Sequence, residues 1–208
     1  MKVKKTRPLG RPRRSDRTQP TSELIIQAAT RLFIEYGYQN VSVDDVAKQC
    51  DLTKATVYYH YDSKARLFTK TMVQMMVRIR ERINTMLQES IPLKTRLFNI
   101  TKAHLEATVN FDMDGFMKGV DNALTPEQLE EITNAETAMY QTIRHAFVYA
   151  MEQKEIRHIN PTFATHAYLS LLKAGNYRNE SDHPDTIDET AKQIIQLLWQ
   201  GLQPEEEI

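Results

Sequence analysis

The sequence predicts an all-α fold. Apolar side chains recur at helical spacing along most of the chain, and no segment shows the apolar-polar alternation of a half-buried strand. Pairs that favour the start of a helix precede several segments, including Thr125-Pro126 and Asn160-Pro161. We therefore expect about nine helices, of which the first three form a small N-terminal unit and the others a larger body.

The first helix is expected from Thr21 to Tyr36. It follows residues 1–20, which hold three prolines and lack apolar periodicity, so this segment is expected to be a flexible arm. Gly37 supplies the left-handed conformation that ends many helices. The apolar stripe of the helix consists of Ile25, Ala28, Ala29, Leu32, Phe33 and Tyr36.

Two short helices joined by a tight turn are expected next. Ser42 followed three positions later by Asp45 resembles a capping box, which would open the first of them. Asp51 suits the turn because aspartate tolerates the left-handed region. Thr53 is a second N-cap candidate and opens a helix to Tyr61. Laid against the first helix, these two helices give the outline of a helix-turn-helix unit.

Longer helices follow and form the body. A stripe from Leu67 to Leu87 continues for about six turns after Lys64 and could link the small unit to the body. The further helices are expected over residues 92–111, 126–156, 161–177 and 184–202, with a broken segment around Gly115 and Gly119.

Charge is distributed unevenly, although the formal net charge is zero. Residues 1–20 carry +7, residues 21–66 carry −1 and residues 67–208 carry −6. A basic arm, a helix-turn-helix domain and an acidic body are therefore expected over these three ranges, with the basic end meeting a polyanion. The apolar runs are too short to span a membrane, and the single cysteine, Cys50, cannot form an internal disulfide. We expect a cytoplasmic protein.

Sequence signals for metal binding and catalysis are weak. Asp112 and Asp114 begin a calcium-loop pattern, but Met117 and Ala123 occupy the positions of its glycine and last glutamate. No nucleophile elbow, P-loop, zinc-protease or dinucleotide motif is present, so we expect neither an enzyme nor a cofactor. The body histidines have no close ligand spacing, and a metal site is not expected. They are His104, His145, His158, His166 and His183.

The helix from Thr53 to Tyr61 has two distinct faces. At 100° per residue, Val57 and Tyr61 share one face, which should point into the small core. The opposite face carries small, hydroxyl and aromatic side chains, which suit the major groove of DNA because they can reach thymine methyl groups and base edges. That face comprises Ala55, Thr56 and Tyr59, flanked by Tyr58 and His60.

The segment SVDDVAKQCDLTKATVYYHYDSKARLF, from Ser42 to Phe68, resembles the DNA-binding signature of the tetracycline-repressor (TetR) family. The similarity covers about 45 residues from Ser22, and its most specific part runs from Thr56 to Lys64. Family members are usually homodimeric repressors whose C-terminal body binds a small molecule and thereby releases DNA. The resemblance implies the same fold and function here.

The resemblance also implies residue roles. Positions at the start of the recognition helix would contact bases and phosphates, and Lys64 would grip a phosphate. The implied DNA-binding residues are Ser42, Lys54, Ala55, Thr56, Tyr58, Tyr59, His60 and Lys64.

Three residues depart from the family pattern. Val43 replaces a phosphate-binding threonine, Asp44 replaces a base-reading arginine of some members, and Asp51 replaces the usual turn glycine. An acid at position 44 would repel phosphate. Either backbone amides at that helix start bind the phosphate, or Asp44 accepts a hydrogen bond from a cytosine amino group.

The arm has a partial motif of its own. The stretch LGRPRR, from Leu9 to Arg14, resembles the Arg-Gly-Arg-Pro core of the AT-hook, with Leu9 in place of the first arginine. Arg11 and Arg13 could enter a narrow minor groove, where the negative potential is enhanced. The alternative is a basic tail that adds only non-specific affinity.

A pocket for a small lipophilic or aromatic effector is expected among the middle helices. Mostly apolar walls with a few polar groups are typical of such sites, although they are equally typical of an ordinary core. The candidate residues are His104, Thr108, Phe111, Phe116, Met117, Met139, Tyr140, Ile143, Phe147, His166 and Tyr168.

The last two helices have wide apolar faces, and we expect one chain to have too little other material to cover them. Family members pair these helices with their symmetry mates in a four-helix bundle. A twofold dimer would present two recognition helices about 34–36 Å apart to a palindromic operator. The candidate dimerisation residues are Leu171, Leu172, Ile194, Leu198 and Trp199, with Tyr168 on the same faces.

The leading hypothesis is therefore a dimeric repressor that binds double-stranded DNA and is released by an effector. The alternative is a DNA-binding regulator without a ligand, whose body serves only dimerisation or protein docking. A side-chain-filled interior would favour the alternative, and an elongated cavity would count against it.

Overall fold

The computed structural model describes residues 19–108, 111–175 and 186–203, and within these ranges it contains nine α-helices and no strand. The all-α prediction is confirmed. The N-terminal helices are α1 (Thr21–Asn40), α2 (Val43–Gln49), α3 (Lys54–His60) and α4 (Lys64–Leu87). The body contains α5 (Leu93–Thr108), α6 (Met113–Met117), α7 (Pro126–Glu152), α8 (Pro161–Ala174) and α9 (Ile187–Leu202).

Short polar side chains start the helices of the N-terminal unit. Ser42 and Asp45 form a reciprocal capping box at α2, and the Thr53 hydroxyl accepts from the Thr56 amide at α3. These contacts satisfy backbone amides that have no partner within the helix. Asp51 adopts a φ of 52°, so the expected left-handed turn residue is confirmed.

The end of α1 differs from the expectation. Gly37 has a φ of 76°, as a left-handed stop requires, but helical geometry resumes after it and continues to Asn40. A Cβ atom at Gly37 would lie 2.5 Å from the main-chain oxygen of Gly115. Glycine is therefore required both by the backbone conformation and by the close approach of α6 to α1.

The N-terminal unit has its own hydrophobic core, here called the head core. Val57 from α3 is fully buried beneath α1 and the start of α4. The segment after α5 also enters this core, because Phe116, Val120 and Leu124 are buried in it. Further members are Ile25, Ile26, Ala28, Ala29, Phe33, Tyr38, Val41, Val43, Val46, Ala47, Leu67, Phe68 and Met72.

A second core lies among α5, α7, α8 and α9, while α4 packs along α7. Tyr168 is fully buried in it, and its hydroxyl group lies 2.9 Å from the Thr101 hydroxyl and donates to the Leu97 carbonyl. The polar end of this side chain is thus satisfied inside the protein. None of the helices in the described ranges is long and apolar enough to cross a membrane.

The chain itself covers much of the apolar face of its last two helices. Leu172, Ile194 and Leu198 are buried in the body core, since α5 packs on α9 and α7 packs on α8. The expectation that one chain lacks the material to cover them is wrong. The large apolar side chains that α8 and α9 leave exposed are Phe163, at 65% exposure, and Leu197, at 60%.

Candidate nucleic-acid interface

Two side chains that point towards the head core anchor α3. Val57 is fully buried, and the half-buried Tyr61, which follows the helix, donates its hydroxyl hydrogen to the Ser22 carbonyl at 3.2 Å. Burial raises the pKa of Tyr61, so it remains a neutral donor at physiological pH. The inward orientation expected for these two residues is observed.

The outward face of α3 is open. Tyr59 is 80% exposed, Tyr58 is 41% exposed, and Lys54 and Ala55 are exposed at the start of the helix. The Lys54 ammonium lies 6.0 Å from the centroid of the Tyr58 ring. Such a surface combines a cation with large aromatic side chains and lies on a short helix, so it can enter a major groove.

Two predicted contact residues already use their hydroxyl groups locally. The Ser42 hydroxyl bonds to Asp45 at 2.6 Å, and the Thr56 hydroxyl lies 2.8 Å from that of Thr53. The hydrogen bond from Ser42 lowers the pKa of Asp45, which keeps this carboxylate charged. Both serine and threonine therefore stabilise helix starts whether or not they also reach DNA.

The acidic start of α2 is partly neutralised. Asp44 forms an ion pair with Lys48 at 2.7 Å, and Val43 is buried in the head core. The Asp45 carboxylate accepts from the Ser42 backbone amide, so it occupies part of the anion site that a helix start provides. Both alternatives, phosphate binding by backbone amides and a hydrogen bond from a cytosine amino group to Asp44, stay predictions.

Lys64, which we expect to bind a phosphate, makes two contacts within the protein. Its ammonium group donates to the Gln39 carbonyl at 3.2 Å and lies 4.3 Å from the centroid of the Tyr38 ring. Residue spacing does not indicate these contacts, because both partners precede Lys64 by about 25 positions.

His60 is less accessible than expected. Its Nε2 atom is buried and has no hydrogen-bond partner among the described residues. The His60 ring meets Tyr59 edge-on at 5.3 Å and lies 6.4 Å from the Tyr61 ring. The rings of Tyr59, His60 and Tyr61 therefore form one aromatic cluster, in which His60 packs against the exposed Tyr59.

The candidate effector residues are divided between the two cores. The ring centroids of Phe111 and Phe116 lie 5.1 Å apart, and the centroid of Phe116 lies 5.6 Å from that of Phe68 on α4. These phenylalanines, with Met117, pack on the head core rather than on the middle of the body. Their helical spacing could not reveal this, because α6 folds back onto α1.

The remaining candidates belong to the body. Ile143, Phe147 and Tyr168 are buried in its core. Tyr140, next to the exposed His166 and the half-buried Met139, is hydrogen-bonded to Glu136. The candidates therefore divide between the two hydrophobic cores, and their common pocket stays a prediction.

His104 is the candidate with an unsatisfied polar group. Its Nε2 atom is buried without a hydrogen-bond partner among the described residues, and the Thr108 hydroxyl donates to its backbone carbonyl. Burial lowers the pKa of His104, which favours the neutral imidazole.

A groove of about 640 Å³ lies elsewhere, between the α4–α5 connection and α7. Arg96 and Glu155 line it and form an ion pair at 3.2 Å. None of the candidate effector residues lines this groove. Within the described ranges, no group of three or more His, Cys, Asp or Glu side chains could hold a metal ion.

Comparisons of the sequence point to a single class of protein. The family described as "Bacterial regulatory proteins, tetR family" matches residues 25–71. An uncharacterised HTH-type transcriptional regulator, YhgD of Bacillus subtilis, is 23% identical over 84% of this chain and 92% of its own length. IcaR of Staphylococcus epidermidis, a negative regulator of a biofilm operon, is 42% identical over 48 residues, which span 23% of this chain and 26% of IcaR.

Solved structures share the fold over most of the chain. The regulator FadR of Bacillus subtilis, in complex with stearoyl-CoA, has a TM-score of 0.69 at 16% identity and covers 86% of this chain and 98% of its own. AibR, in complex with isovaleryl coenzyme A and operator DNA, has a TM-score of 0.62 at 23% identity, with 85% and 96% covered. Residues 25–71 therefore match the N-terminal DNA-binding region of the tetR family, and the chain is similar over most of its length to a transcriptional regulator and to solved regulators with the same fold.

Proposed function

We propose that the protein is a dimeric repressor that binds a palindromic operator through α3 and is released by a small effector bound in the body. The observation that carries the DNA-binding part is the two-sided recognition helix. Val57 and Tyr61 fix α3 to the head core, and Lys54, Ala55 and Tyr59 remain free to enter the major groove. Thr56, Tyr58 and His60 complete the proposed contact surface.

Repression and the basic arm add to this proposal. The negative regulator IcaR resembles this chain in its DNA-binding segment, which supports repression rather than activation. Arg11 and Arg13 lie outside the described residues. Their position in a +7 segment supports a contact with DNA in the minor groove beside the operator half-site.

An effector in the body is supported by His104 and by the relatives. A buried imidazole nitrogen without a partner loses hydrogen-bond energy that a ligand could restore. FadR and AibR bind acyl-coenzyme A compounds, so acyl thioesters are the first lipophilic class to test. An effector releases DNA only if it binds the DNA-incompetent state more tightly.

A ligand-independent regulator is the second candidate. The filled body core favours it, because Ile143, Phe147 and Tyr168 are buried and the Tyr168 hydroxyl is satisfied. In this case the body would serve dimerisation or protein docking.

One experiment separates the candidates. The protein selects an operator from a random pool of double-stranded DNA, and binding is then measured with stearoyl-CoA, isovaleryl-CoA and free fatty acids. Selection of a palindrome and its release by a compound would support the repressor with an effector. Binding that is unchanged by every compound with measurable affinity for the protein would favour the second candidate. Failure to select any DNA sequence would refute both.

A further inference from the structure

Side chains from the ends of α2 and α3 hold the start of α1. The hydroxyl group of Tyr61, directly after α3, donates to the Ser22 carbonyl in the first turn of α1 at 3.2 Å. The thiol of Cys50, directly after α2, donates to the Leu24 carbonyl at 3.6 Å. These contacts join segments that are 39 and 26 positions apart, and they fix the first turn of α1 beside the two short helices.

The chain enters α1 in a defined direction. Pro20 is the N-cap, and its carbonyl accepts from the backbone amides of Glu23 and Leu24 at 3.1 and 3.2 Å. The side-chain amide of Gln19 donates to the Glu23 carboxylate at 3.3 Å. Proline has a nearly fixed φ, so the direction in which the chain leaves this helix start follows from the position of the first turn. The basic arm therefore joins the described chain beside the end of α3.

The chain length between the arm arginines and α1 limits their reach. Six peptide units separate Arg13 from Gln19, and at about 3.3–3.6 Å per residue they span at most about 20–22 Å. The centres of the major and minor grooves lie about 17 Å apart along DNA, half of the helical turn of about 34 Å. With α3 in the major groove, the arm reaches the neighbouring minor groove with only a few ångströms of slack. The position of the start of α1 therefore matters for this contact.

The hydroxyl group of Tyr61 does more than an apolar anchor could. The half-buried ring packs on the head core, as a phenylalanine ring would. The hydroxyl adds a hydrogen bond, whose strength falls steeply with poor distance and angle. It therefore restricts where the first turn of α1 can lie relative to α3.

We propose that Tyr61 is a positioning residue for the basic arm, and that its hydroxyl holds the start of α1 where Arg11 and Arg13 reach the minor groove. This inference rests on the proposed contact of the arm with DNA beside the operator half-site. Without the hydroxyl, the start of α1 samples a wider range of positions, and the arm occupies the minor groove for a smaller fraction of the time. The contribution of the arm to the affinity falls with that fraction.

The test measures the effect of Tyr61→Phe in two full-length proteins, the wild type and a variant with Arg11→Ala and Arg13→Ala. Fluorescence anisotropy gives the affinity for the operator that the wild type selects. In the wild type we expect Tyr61→Phe to weaken binding about two- to ten-fold, the range for loss of one hydrogen bond. In the arginine variant the same change should have no further effect, because the hydroxyl and the arginines act through one contact.

The salt dependence provides a second readout. A neutral hydroxyl group releases no counterions, so the log–log slope of affinity against salt would not change if Tyr61 itself contacted DNA. We expect Tyr61→Phe to shift the slope towards that of the arginine variant, by up to about 0.9 for each phosphate contact that the arm loses. The matched control is Tyr36→Phe, which removes the hydroxyl of an exposed tyrosine near the other end of α1 and should bind like the wild type.

Three results would overturn the proposal: unchanged affinity in Tyr61→Phe, an equal loss of affinity with and without the arm arginines, or a loss of affinity without a change in slope. An arginine variant that binds like the wild type would refute the contact of the arm as well. A wild-type protein that selects no DNA would instead refute the proposed function.

Discussion

At the scale of single residues, nearby side chains of α3 differ in burial, because some point into the head core and others point to solvent. Val57 has no exposed surface, whereas Tyr59, two positions later, is 80% exposed. A helix turns 200° over two positions, so this contrast follows from helix geometry once one face is anchored. An exposed tyrosine on a short helix contributes little to folding and is free to contact DNA.

We expect Tyr59→Ala to weaken operator binding about ten-fold or more, with little change in the melting temperature. The ring contributes to the proposed interface, and truncation of an aromatic contact residue commonly costs above about 1 kcal/mol of binding energy. Fluorescence anisotropy with the selected operator measures the affinity, and circular dichroism measures unfolding. The matched control is Tyr149→Ala, an exposed tyrosine on α7, which should bind DNA like the wild type. Equal affinity of both variants would argue against a contact by Tyr59.

At the scale of elements, two contacts connect the N-terminal unit to the body. The α6 segment approaches α1 so closely that glycine is needed at position 37. On the other side, Glu131 of α7 forms ion pairs with Arg66 and Lys70, one turn apart on α4. The head core is therefore connected to the body through α6 as well as through α4.

Gly37→Ala should lower the free energy of unfolding by about 1–3 kcal/mol, the range for a strained backbone position. The added Cβ would meet the Gly115 carbonyl oxygen, and alanine disfavours a φ of 76°. Gly201→Ala is the control, because its Cβ would meet no atom within 4 Å in α9. Urea denaturation should show a loss for the first variant and none for the second. An unchanged free energy of unfolding in Gly37→Ala would mean that α6 can move away from the added Cβ atom at little cost.

Glu131→Gln should lower the melting temperature at pH 7 but not at low pH. Hydrogen bonds from Lys70 and Arg66 lower the pKa of Glu131 in the folded protein. Its stabilising contribution is therefore complete above the unfolded-state pKa of about 4.3 and disappears as the pH falls through the lower folded-state value. The effect should be small, because all three side chains are about one third exposed.

Thermal unfolding between pH 3 and pH 7 checks this dependence. Glu130→Gln, at the adjacent exposed position, is the matched control and should follow the wild type. A difference between Glu131→Gln and the wild type that persists unchanged at pH 3 would contradict the ionic explanation.

At the scale of the whole molecule, the exposed apolar residues of α8 and α9 suggest where a second copy would bind. Leu197 and Phe163 are mostly exposed, while Leu172, Ile194 and Leu198 already fill the body core. A dimer interface would therefore use Leu197 and Phe163, with the half-buried Leu171 and Trp199, rather than the buried leucines and isoleucine.

Leu197→Glu should shift the protein towards a monomer, because a buried interface would have to accept an unpaired charge. Operator binding should weaken with it, since a monomer presents one recognition helix instead of two. Size-exclusion chromatography with light scattering gives the mass, and anisotropy gives the affinity. Met113→Glu, at a similarly exposed apolar position on α6, should stay in the wild-type assembly state. A Leu197→Glu variant with unchanged mass would place the interface elsewhere.

Local structure follows from residues that are close together in the chain. The capping pairs at Ser42 and Thr125, the Thr53 cap and the left-handed Asp51 all appear where short-range chemistry predicts them. Helical periodicity also placed Val57 on the inner face of α3. These features depend on residues within about one turn of each other, so their interactions can be read from spacing alone.

The packing of the helices sets which apolar side chains contact each other. Phe116 joins the head core because α6 returns to α1, and Lys64 contacts Gln39 because the end of α1 packs against the start of α4. Apolar periodicity shows that a face is buried but does not identify its partner, since the hydrophobic effect is non-directional. Contacts between segments far apart in sequence depend on how the helices pack. For this reason the apolar pattern predicted neither the division of the effector candidates between two cores nor the burial of the apolar face of α9.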